Sequence, residues 1–409
     1  MLPLWSAIPF ALFLLCIAVL PLAVPHFWES NRNKSLVGLV LSIPVILLLL
    51  KHEPLSILHT LEEYFSFICL LGSLFVISGS IAVRGDLEAT PRVNVIFLVI
   101  GAILANFIGT TGASMVLIRP FLKTNSERKL VRHLPVFFIF VVSNFGGLLT
   151  PLGDPPLFLG YLRGVPFFWT LRLFPIWLMA ISALLTIFYF WDRRCYHQEK
   201  KEDLKKDKSH IQPIRLEGWK SVLFLCGVLY SVFMPTPWRE GMMILMLISS
   251  LVFGSKTARH HNNFQWGPIQ EVAILFAGIF ITMVPALMIL KEKGPTLGII
   301  QPWQFFWLSG ALSSFLDNAP TYVTFLSLAQ GLHFSPEVVG VPIKLLQAIS
   351  VGSVFMGANT YIGNGPNFMV KAIADHAGYK TPSFFHYMAY SLGILFPIYF
   401  LITFLFFTS

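Results

Sequence analysis

The sequence predicts an all-α integral membrane protein built from two inverted repeats, each with five transmembrane helices and one re-entrant hairpin. The prediction rests on composition, on a series of apolar segments and on a repeated set of helix-breaking motifs. Of the 409 residues, 55% are hydrophobic and 12% are charged, against about 25% charged residues in soluble domains. A chain this apolar lacks a surface suited to water, so lipid must surround most of it.

Apolar segments of about 20 residues, the length that crosses a bilayer as a helix, recur along the chain. Ten are expected near residues 5–25, 35–50, 64–83, 134–162, 166–190, 219–235, 239–254, 268–290, 341–372 and 384–407. Two further stretches, 93–122 and 301–330, are interrupted midway by small and polar residues. A helix broken at its centre with both ends on one side is a re-entrant hairpin, which must be buried in protein or line a cavity.

The basic residues, which give a net charge of +9, lie mainly in short loops. The loop 191–218 holds eight of them, and Lys and Arg are enriched in cytoplasmic loops. We therefore expect a multi-pass protein of the cell (inner) membrane, with this loop in the cytoplasm and both termini outside. Residues 192–218 would link repeat one, residues 1–191, to repeat two, residues 219–409.

A repeat of helix-breaking residues is the most informative feature of the chain. Six residue pairs share a sequence offset of 210: Phe145/Phe355, Gly147/Gly357, Thr150/Thr360, Gly153/Gly363, Pro156/Pro366 and Phe158/Phe368. Because each half has five full spans, an odd number, the second half should lie upside down relative to the first. Inverted repeats with broken helices that meet near the midplane are typical of secondary transporters. An old duplication without a transport role is the alternative.

The two broken helices, 134–162 and 341–372, supply oxygen atoms that suit a sodium ion. Asp154 and Asp317 stand out, because an ionisable residue at membrane depth is costly and by default marks an ion path. Each would belong to one half-site. Half-site one would be Asp154 with Asn106, Thr110, Thr111, Asn144 and Thr150. Half-site two would be Asp317 with Asn318, Thr321, Asn359, Thr360 and Asn364, and Asn367 is a further oxygen ligand.

Each of these residues also has a structural interpretation. The Asn and Thr side chains could satisfy the backbone of a Pro-kinked helix, and Asp317 could cap the second helix of its hairpin. As an ion site, a buried carboxyl group favours its protonated form, so sodium and protons would compete for it.

Several function classes are excluded by missing motifs. The sequence has no GxxxxGK[ST] motif to bind ATP and no spaced His or Cys pair typical of a metalloenzyme. Basic residues flank membrane segments instead of lining a groove, which argues against nucleic-acid binding. We therefore expect neither an enzyme nor a cofactor, and the partners would be the lipid bilayer and small ions.

The motifs SNFGGLLTPLGDPPLF from Ser143, SSFLDNAP from Ser313 and GANTYIGNGPNF from Gly357 resemble the ion transporter superfamily. They are most similar to its bacterial citrate transporters and D-type sodium/proton antiporters. The resemblance covers nearly the whole chain and implies an elevator-like fold and a homodimer. In the dicarboxylate relatives, Ser-Asn-Thr triplets at the hairpin tips bind sodium and substrate, whereas this chain has an acid at Asp317. An acid beside an anion pocket would repel a carboxylate substrate.

These observations predict a sodium/proton antiporter that exchanges Na⁺ or Li⁺ for H⁺ at Asp154 and Asp317. The alternative is a sodium- or proton-coupled symporter of citrate or another small carboxylate. Arsenite export, known in the wider superfamily, is a third possibility. A membrane enzyme or a channel-like anion path would need a catalytic dyad or a continuous polar pore, and neither is evident.

Overall fold

Helices make up most of the chain in a computed structural model, which describes residues 2–333 and 337–408. The helices of the first half are α1 (Ile8–Ala23), α2 (Pro25–Trp28), α3 (Asn31–His52), α4 (Pro54–Gly79), α5 (Pro91–Thr124), α6 (His133–Val141), α7 (Pro155–Leu162) and α8 (Phe174–Gln198). Those that follow are α9 (Lys201–Ser209), α10 (Lys220–Ser231), α11 (Trp238–Phe253), α12 (Lys256–His261), α13 (Gly267–Lys293), α14 (Pro302–Ser313), α15 (Asn318–Gly331), α16 (Ile343–Met356), α17 (Gly365–His376) and α18 (Phe384–Ile402).

Seven helical segments within the described residues are long and apolar enough to cross a bilayer. They are Leu4–Pro21, Asn31–His52, Pro54–Gly79, Pro91–Thr124, Phe167–Gln198, Gly267–Leu297 and Phe384–Phe407. Six of these coincide with predicted spans, and Pro91–Thr124 contains the first predicted hairpin. The predicted spans 219–235 and 239–254 form shorter helices of 12 and 16 residues, since prolines at 235 and 237 separate them. The chain is a multi-pass membrane protein.

The prediction of an all-α chain was wrong at one place, because two strands form an antiparallel ribbon. Strand β1 (Ala82–Asp86) pairs with β2 (Gln212–Glu217), and Val83 lies opposite Leu216. Residues 212–217 alternate between apolar and polar side chains, the pattern of a strand. The predicted linker 192–218 is therefore ordered: it contains the end of α8, helix α9 and strand β2.

Both interrupted apolar stretches fold back on themselves. In α5, Gly109 has φ +75°, a conformation that glycine adopts at little cost. The two arms then run antiparallel. Asn94, near the start of the first arm, and Asn125, at the end of the second, exchange side-chain hydrogen bonds of 2.9 and 2.8 Å. The chain reverses direction between helices α14 and α15 at the turn 314–317. The two helices then pack side by side, since the rings of Phe305 on α14 and Phe325 on α15 lie 6.2 Å apart. We call these segments hairpin one (91–124) and hairpin two (302–331).

A buried ionic cluster closes the base of hairpin one. Arg128 donates to Asp192 over 2.6 Å, and neither side chain is exposed. Asp192 also accepts from Asn94 at 2.9 Å and lies 3.0 Å from the Nε2 atom of His133. The linker adds a further contact, since the backbone N–H of Ala89 donates to the Asp207 carboxylate at 3.0 Å. Hairpin one, α8 and the linker are therefore held together by polar contacts.

Replacing Asp192 by Asn should destabilise the protein strongly. The substitution removes the carboxylate that lies 2.6 Å from the buried Arg128 guanidinium and leaves only the more distant Glu199, at 3.8 Å. Breaking a buried ion pair of this kind costs up to about 3–5 kcal/mol of unfolding free energy. The melting temperature of the purified protein in detergent measures the effect. Glu202→Gln, which removes an exposed acid on α9, is the matched control and should be neutral. Equal melting temperatures for the two variants would show that the cluster is not stabilising.

Candidate ion-binding site

The two broken helices have the same local backbone. After α6 a short 3₁₀ turn (Phe145–Leu149) leads to Thr150, at φ −139° and ψ 155°. After α16 the equivalent turn (Gly357–Asn359) leads to Thr360, at φ −138° and ψ 167°. In both halves a proline within the first two positions of the following helix cannot donate a backbone hydrogen bond. The local structure is thus repeated, while the inverted arrangement of the halves in the membrane stays a prediction.

The two breaks pack directly against each other. The rings of Phe145 and Phe355, which are 210 residues apart, stack with centroids 3.8 Å apart and planes 2° from parallel, and both are fully buried. The Asn144 amide of repeat one donates to Asn367 of repeat two at 2.7 Å. Contact between equivalent residues of the two halves brings both breaks to one place.

Glycines allow each break to fold tightly. A methyl group on Gly147 would lie 2.7 Å from the carbonyl oxygen of Gly153, and one on Gly363 would lie 2.5 Å from that of Gly357. Both distances are too short for a real side chain. The same carbonyl of Gly153 accepts from the backbone N–H of Thr110, at the tip of hairpin one, over 2.8 Å. The glycines therefore set the position of the neighbouring Asp154.

Asp154 lies where three separate segments meet, and it is 1% exposed. Its carboxylate accepts from the Thr110 hydroxyl of hairpin one at 2.9 Å. It accepts from the Asn318 amide of hairpin two at 2.5 Å and from the Asn364 amide of repeat two at 3.2 Å. Asn364 is the residue 210 positions after Asp154. One carboxylate thus joins both hairpins and both broken helices.

The hydrogen-bond partners of Asp154 are all neutral. Among the described residues, no Lys, Arg or His forms an ion pair with this carboxylate. The side-chain oxygen of Asn318, whose amide nitrogen contacts Asp154, is buried without a hydrogen-bond partner in the part of the chain that the structure describes. The site therefore combines a buried negative charge with an oxygen atom free to bind a cation.

Asp317 has a different environment. It is partly exposed and caps α15 by accepting from the backbone N–H of Ala319 at 3.0 Å. Its backbone carbonyl accepts from the Thr321 hydroxyl at 3.0 Å. The division into two half-sites differs from these contacts, because Asn318 and Asn364 both donate to Asp154. They do so because the two halves interlock, which brings two donors of the opposite repeat to the carboxylate beside Thr110 of its own repeat.

The other predicted residues mostly hold the breaks in place. Thr150 donates to the backbone of Asn106 at 2.5 Å, and Thr360 donates to the backbone of Ser314 at 2.5 Å. The Asn359 amide donates to the Ser314 hydroxyl at 2.9 Å. Thr111 is partly buried, and its side chain makes no hydrogen bond to this cluster within the described residues.

Ser314 was missed by the sequence interpretation, although it supports the second break as Asn106 supports the first. It lies 208 residues after Asn106, close to the offset of 210 that relates the two broken helices. That offset was the available signal. Tyr399 was also missed, although its hydroxyl donates to the side-chain oxygen of Asn359 at 3.1 Å. It lies in α18, outside the broken helices and the hairpins, and the matching residue 210 positions earlier is Tyr189.

Three helix N-termini converge on the same cluster. Asp154 precedes α7, Asp317 precedes α15 and Asn364 precedes α17. A helix N-terminus carries a partial positive charge and free backbone N–H groups. The cluster can therefore stabilise a negative charge, either that of Asp154 or that of a bound anion.

Similarity to known proteins covers almost the entire chain. A family described as "Putative citrate transport" matches residues 1–407. An uncharacterized transporter of Synechocystis sp. is 22% identical over 402 residues, which cover 89% of this chain and 84% of that protein. The P protein of Mus musculus is 32% identical over 73 residues, 18% of this chain and 9% of that protein.

The substitution Gly153→Ala should damage the site, because the added methyl group would collide with the carbonyl of Gly147. The expected loss of unfolding free energy is about 1–3 kcal/mol, measured as a lower melting temperature. Gly365→Ala is the matched control, since a methyl group there meets nothing within 4 Å. If both variants melted like the wild type, the tight packing of the break would be wrong.

Proposed function

The chain belongs to the family described as "Putative citrate transport", and we propose that it is a secondary transporter. In this proposal it exchanges sodium or lithium for protons at Asp154. One observation carries this proposal: a fully buried carboxylate whose partners are Thr110, Asn318 and Asn364, all neutral. It is an antiporter in this proposal and not an enzyme.

The chemistry of exchange follows from the cost of burying a charge. An ionised carboxylate in an apolar interior is strongly unfavourable unless a cation accompanies it or a proton neutralises it. Because no basic side chain among the described residues pairs with Asp154, either a proton or a metal cation must neutralise it. The proton and the cation compete for one carboxylate, and either of them makes the loaded site neutral. The ionised carboxylate without a proton or cation cannot cross the apolar part of the membrane. When the loaded site alternates between the two faces of the membrane, the movement of sodium is coupled to the movement of protons in the opposite direction.

The ligands that sodium would need are present around Asp154. Sodium binds oxygen, and the carboxylate, the Thr110 hydroxyl and the side-chain oxygen of Asn318 supply it. A hydroxyl group keeps lone pairs available while it donates, so Thr110 can serve the protonated and the sodium-bound forms. Asp317, next in the chain to Asn318, would provide a second negative charge that attracts cations to the site.

The proposed transport cycle uses the architecture of broken helices and hairpins. The two hairpins and both breaks would move together as an elevator-like body, because Asp154 bonds to all of them. The remaining helices would form the scaffold and pair two copies as a homodimer. The loop 191–218 would face the cytoplasm, with both termini outside.

Symport of citrate or another small carboxylate is the second candidate. The three helix N-termini at the cluster, those of α7, α15 and α17, favour it, because they can receive an anion. The family's description points the same way. In this version a cation would first neutralise Asp154, and the carboxylate would then bind beside it.

Flux measurements in proteoliposomes should separate the two candidates. The vesicles carry an imposed pH gradient and a quenched pH dye, and sodium, lithium, potassium and citrate are added in turn. We expect sodium or lithium alone to relieve the quenching, and Asp154→Asn to abolish the response because the amide cannot exchange a proton for a cation. Asp317→Asn should also lose the coupling. Asp203→Asn, a linker acid on α9, is the matched control and should remain active.

The opposite pattern would overturn the antiport proposal. If sodium alone gave no response and labelled citrate entered only in the presence of sodium, the protein would be a carboxylate symporter. Full sodium response in Asp154→Asn would exclude Asp154 as the coupling residue under either candidate.

A further inference from the structure

A basic cavity of about 480 Å³ lies between the β-ribbon, the end of hairpin one and α12. Its lining includes Arg84, Arg119, Lys123 and His261, and none of the described residues that line it is acidic. Thr110, which contacts Asp154, and Arg119 lie on the same arm of hairpin one. Nine residues of helix place them about 14 Å apart along the axis. The cavity is therefore separate from the ion site, and its ligand does not depend on which ion is transported.

The positive charge of the cavity is only partly compensated. Arg84 pairs with Glu217 at 3.1 Å. Within the described residues, Arg119 and Lys123 form no ion pair of 4 Å or less, and the carboxylate of Asp86 acts on Lys123 only at longer range. The Nη1 atom of Arg119 is buried without any hydrogen-bond acceptor in the same part of the chain. A buried guanidinium N–H without an acceptor is costly. An anion with several oxygen atoms would remove that cost and balance both charges.

The chemistry of the lining identifies the anion class. The planar guanidinium of Arg matches the geometry of a phosphate group, and Lys adds a mobile point charge. A volume of about 480 Å³ exceeds what a bare phosphate fills and lies in the range of small-molecule sites. Basic pockets between membrane helices on the cytoplasmic side bind the head groups of anionic lipids, and this cavity lies on the side predicted to be cytoplasmic.

The β-ribbon beside the cavity exposes apolar side chains. Ile214 and Leu216, two residues apart on β2 and so on one face, are 51% and 50% exposed, and the nearby Trp219 is 60% exposed. Gln212 of the same strand lines the cavity. Exposed aliphatic and Trp side chains at the end of membrane helices are typical of the lipid head-group region. The cavity therefore opens where phospholipid head groups lie.

We propose that this cavity binds the phosphate group of an anionic phospholipid through Arg119 and Lys123. The lipid would fasten the linker strand β2 to the base of hairpin one. A soluble phosphate compound offers the same chemistry, so the test compares the two sources directly.

Lipid retention by the full-length purified protein tests the proposal. The protein is incubated in detergent with equal amounts of phosphatidylglycerol and phosphatidylcholine, and native mass spectrometry counts the lipids retained. The wild type should prefer phosphatidylglycerol. Removing one basic residue should weaken the preference about 5-fold, and the double variant Arg119→Gln/Lys123→Gln about 30-fold, since each residue contributes about 1 kcal/mol. Arg215→Gln, an exposed residue of the same ribbon, is the matched control and should keep the preference.

The remaining arms separate the ligand sources. Inorganic phosphate and citrate are titrated against the wild type and the double variant, with melting temperature as the readout. Stabilisation by phosphate without a lipid preference would assign the cavity to a soluble anion and overturn the lipid source. Stabilisation by citrate alone, or equal lipid retention by the double variant and Arg215→Gln, would overturn the phosphate site. Lys123 is exposed, so Lys123→Gln alone gives a reading even if the double variant fails to fold.

Discussion

The rest of the structure depends on one constraint: the Asp154 carboxylate is buried, and no basic side chain in the part of the chain that the structure describes pairs with it. Three neutral donors from different segments achieve this, and each segment has to be broken or folded back to reach it. Hairpin one brings Thr110, hairpin two brings Asn318 and the second broken helix brings Asn364. A movement of any one of these segments should alter the free energy of the ionised Asp154 carboxylate. That shared dependence is what an ion-coupled motion requires.

The repeated breaks explain how this geometry is kept at membrane depth. Irregular backbone inside a bilayer must satisfy its own polar groups. Here the Thr side chain of each break donates to the backbone of the adjacent hairpin, as Thr150 does to Asn106 and Thr360 does to Ser314. The stacked Phe145 and Phe355 rings fill the space between the breaks. Most of the polar residues thus support the site, and only a few contact the carboxylate.

Much of the architecture could be predicted from the chain because the signals are local. The apolar segments and the fold-back at Gly109 follow from nearby residues, and the repeat follows from comparing two short motifs 210 residues apart. Thr110 was expected beside Asp154, but the other two partners could not be predicted, since Asn318 and Asn364 come from the opposite repeat and only the packing of the halves brings them close. The capping role of Asp317 was recognised as an alternative, because Asp before Asn-Ala-Pro is a local pattern. The strand at 212–217 was missed, as its partner lies about 130 residues earlier in the chain.

Sodium-induced proton release tests the central claim most directly. The purified protein is placed in weakly buffered detergent solution at a series of pH values, and sodium chloride is added while the pH is recorded, with choline chloride as the salt control. If sodium and protons compete for Asp154, sodium should release protons from the wild type over part of that range and none from Asp154→Asn. Equal release from both proteins, or none from the wild type at any pH, would contradict competition at this carboxylate.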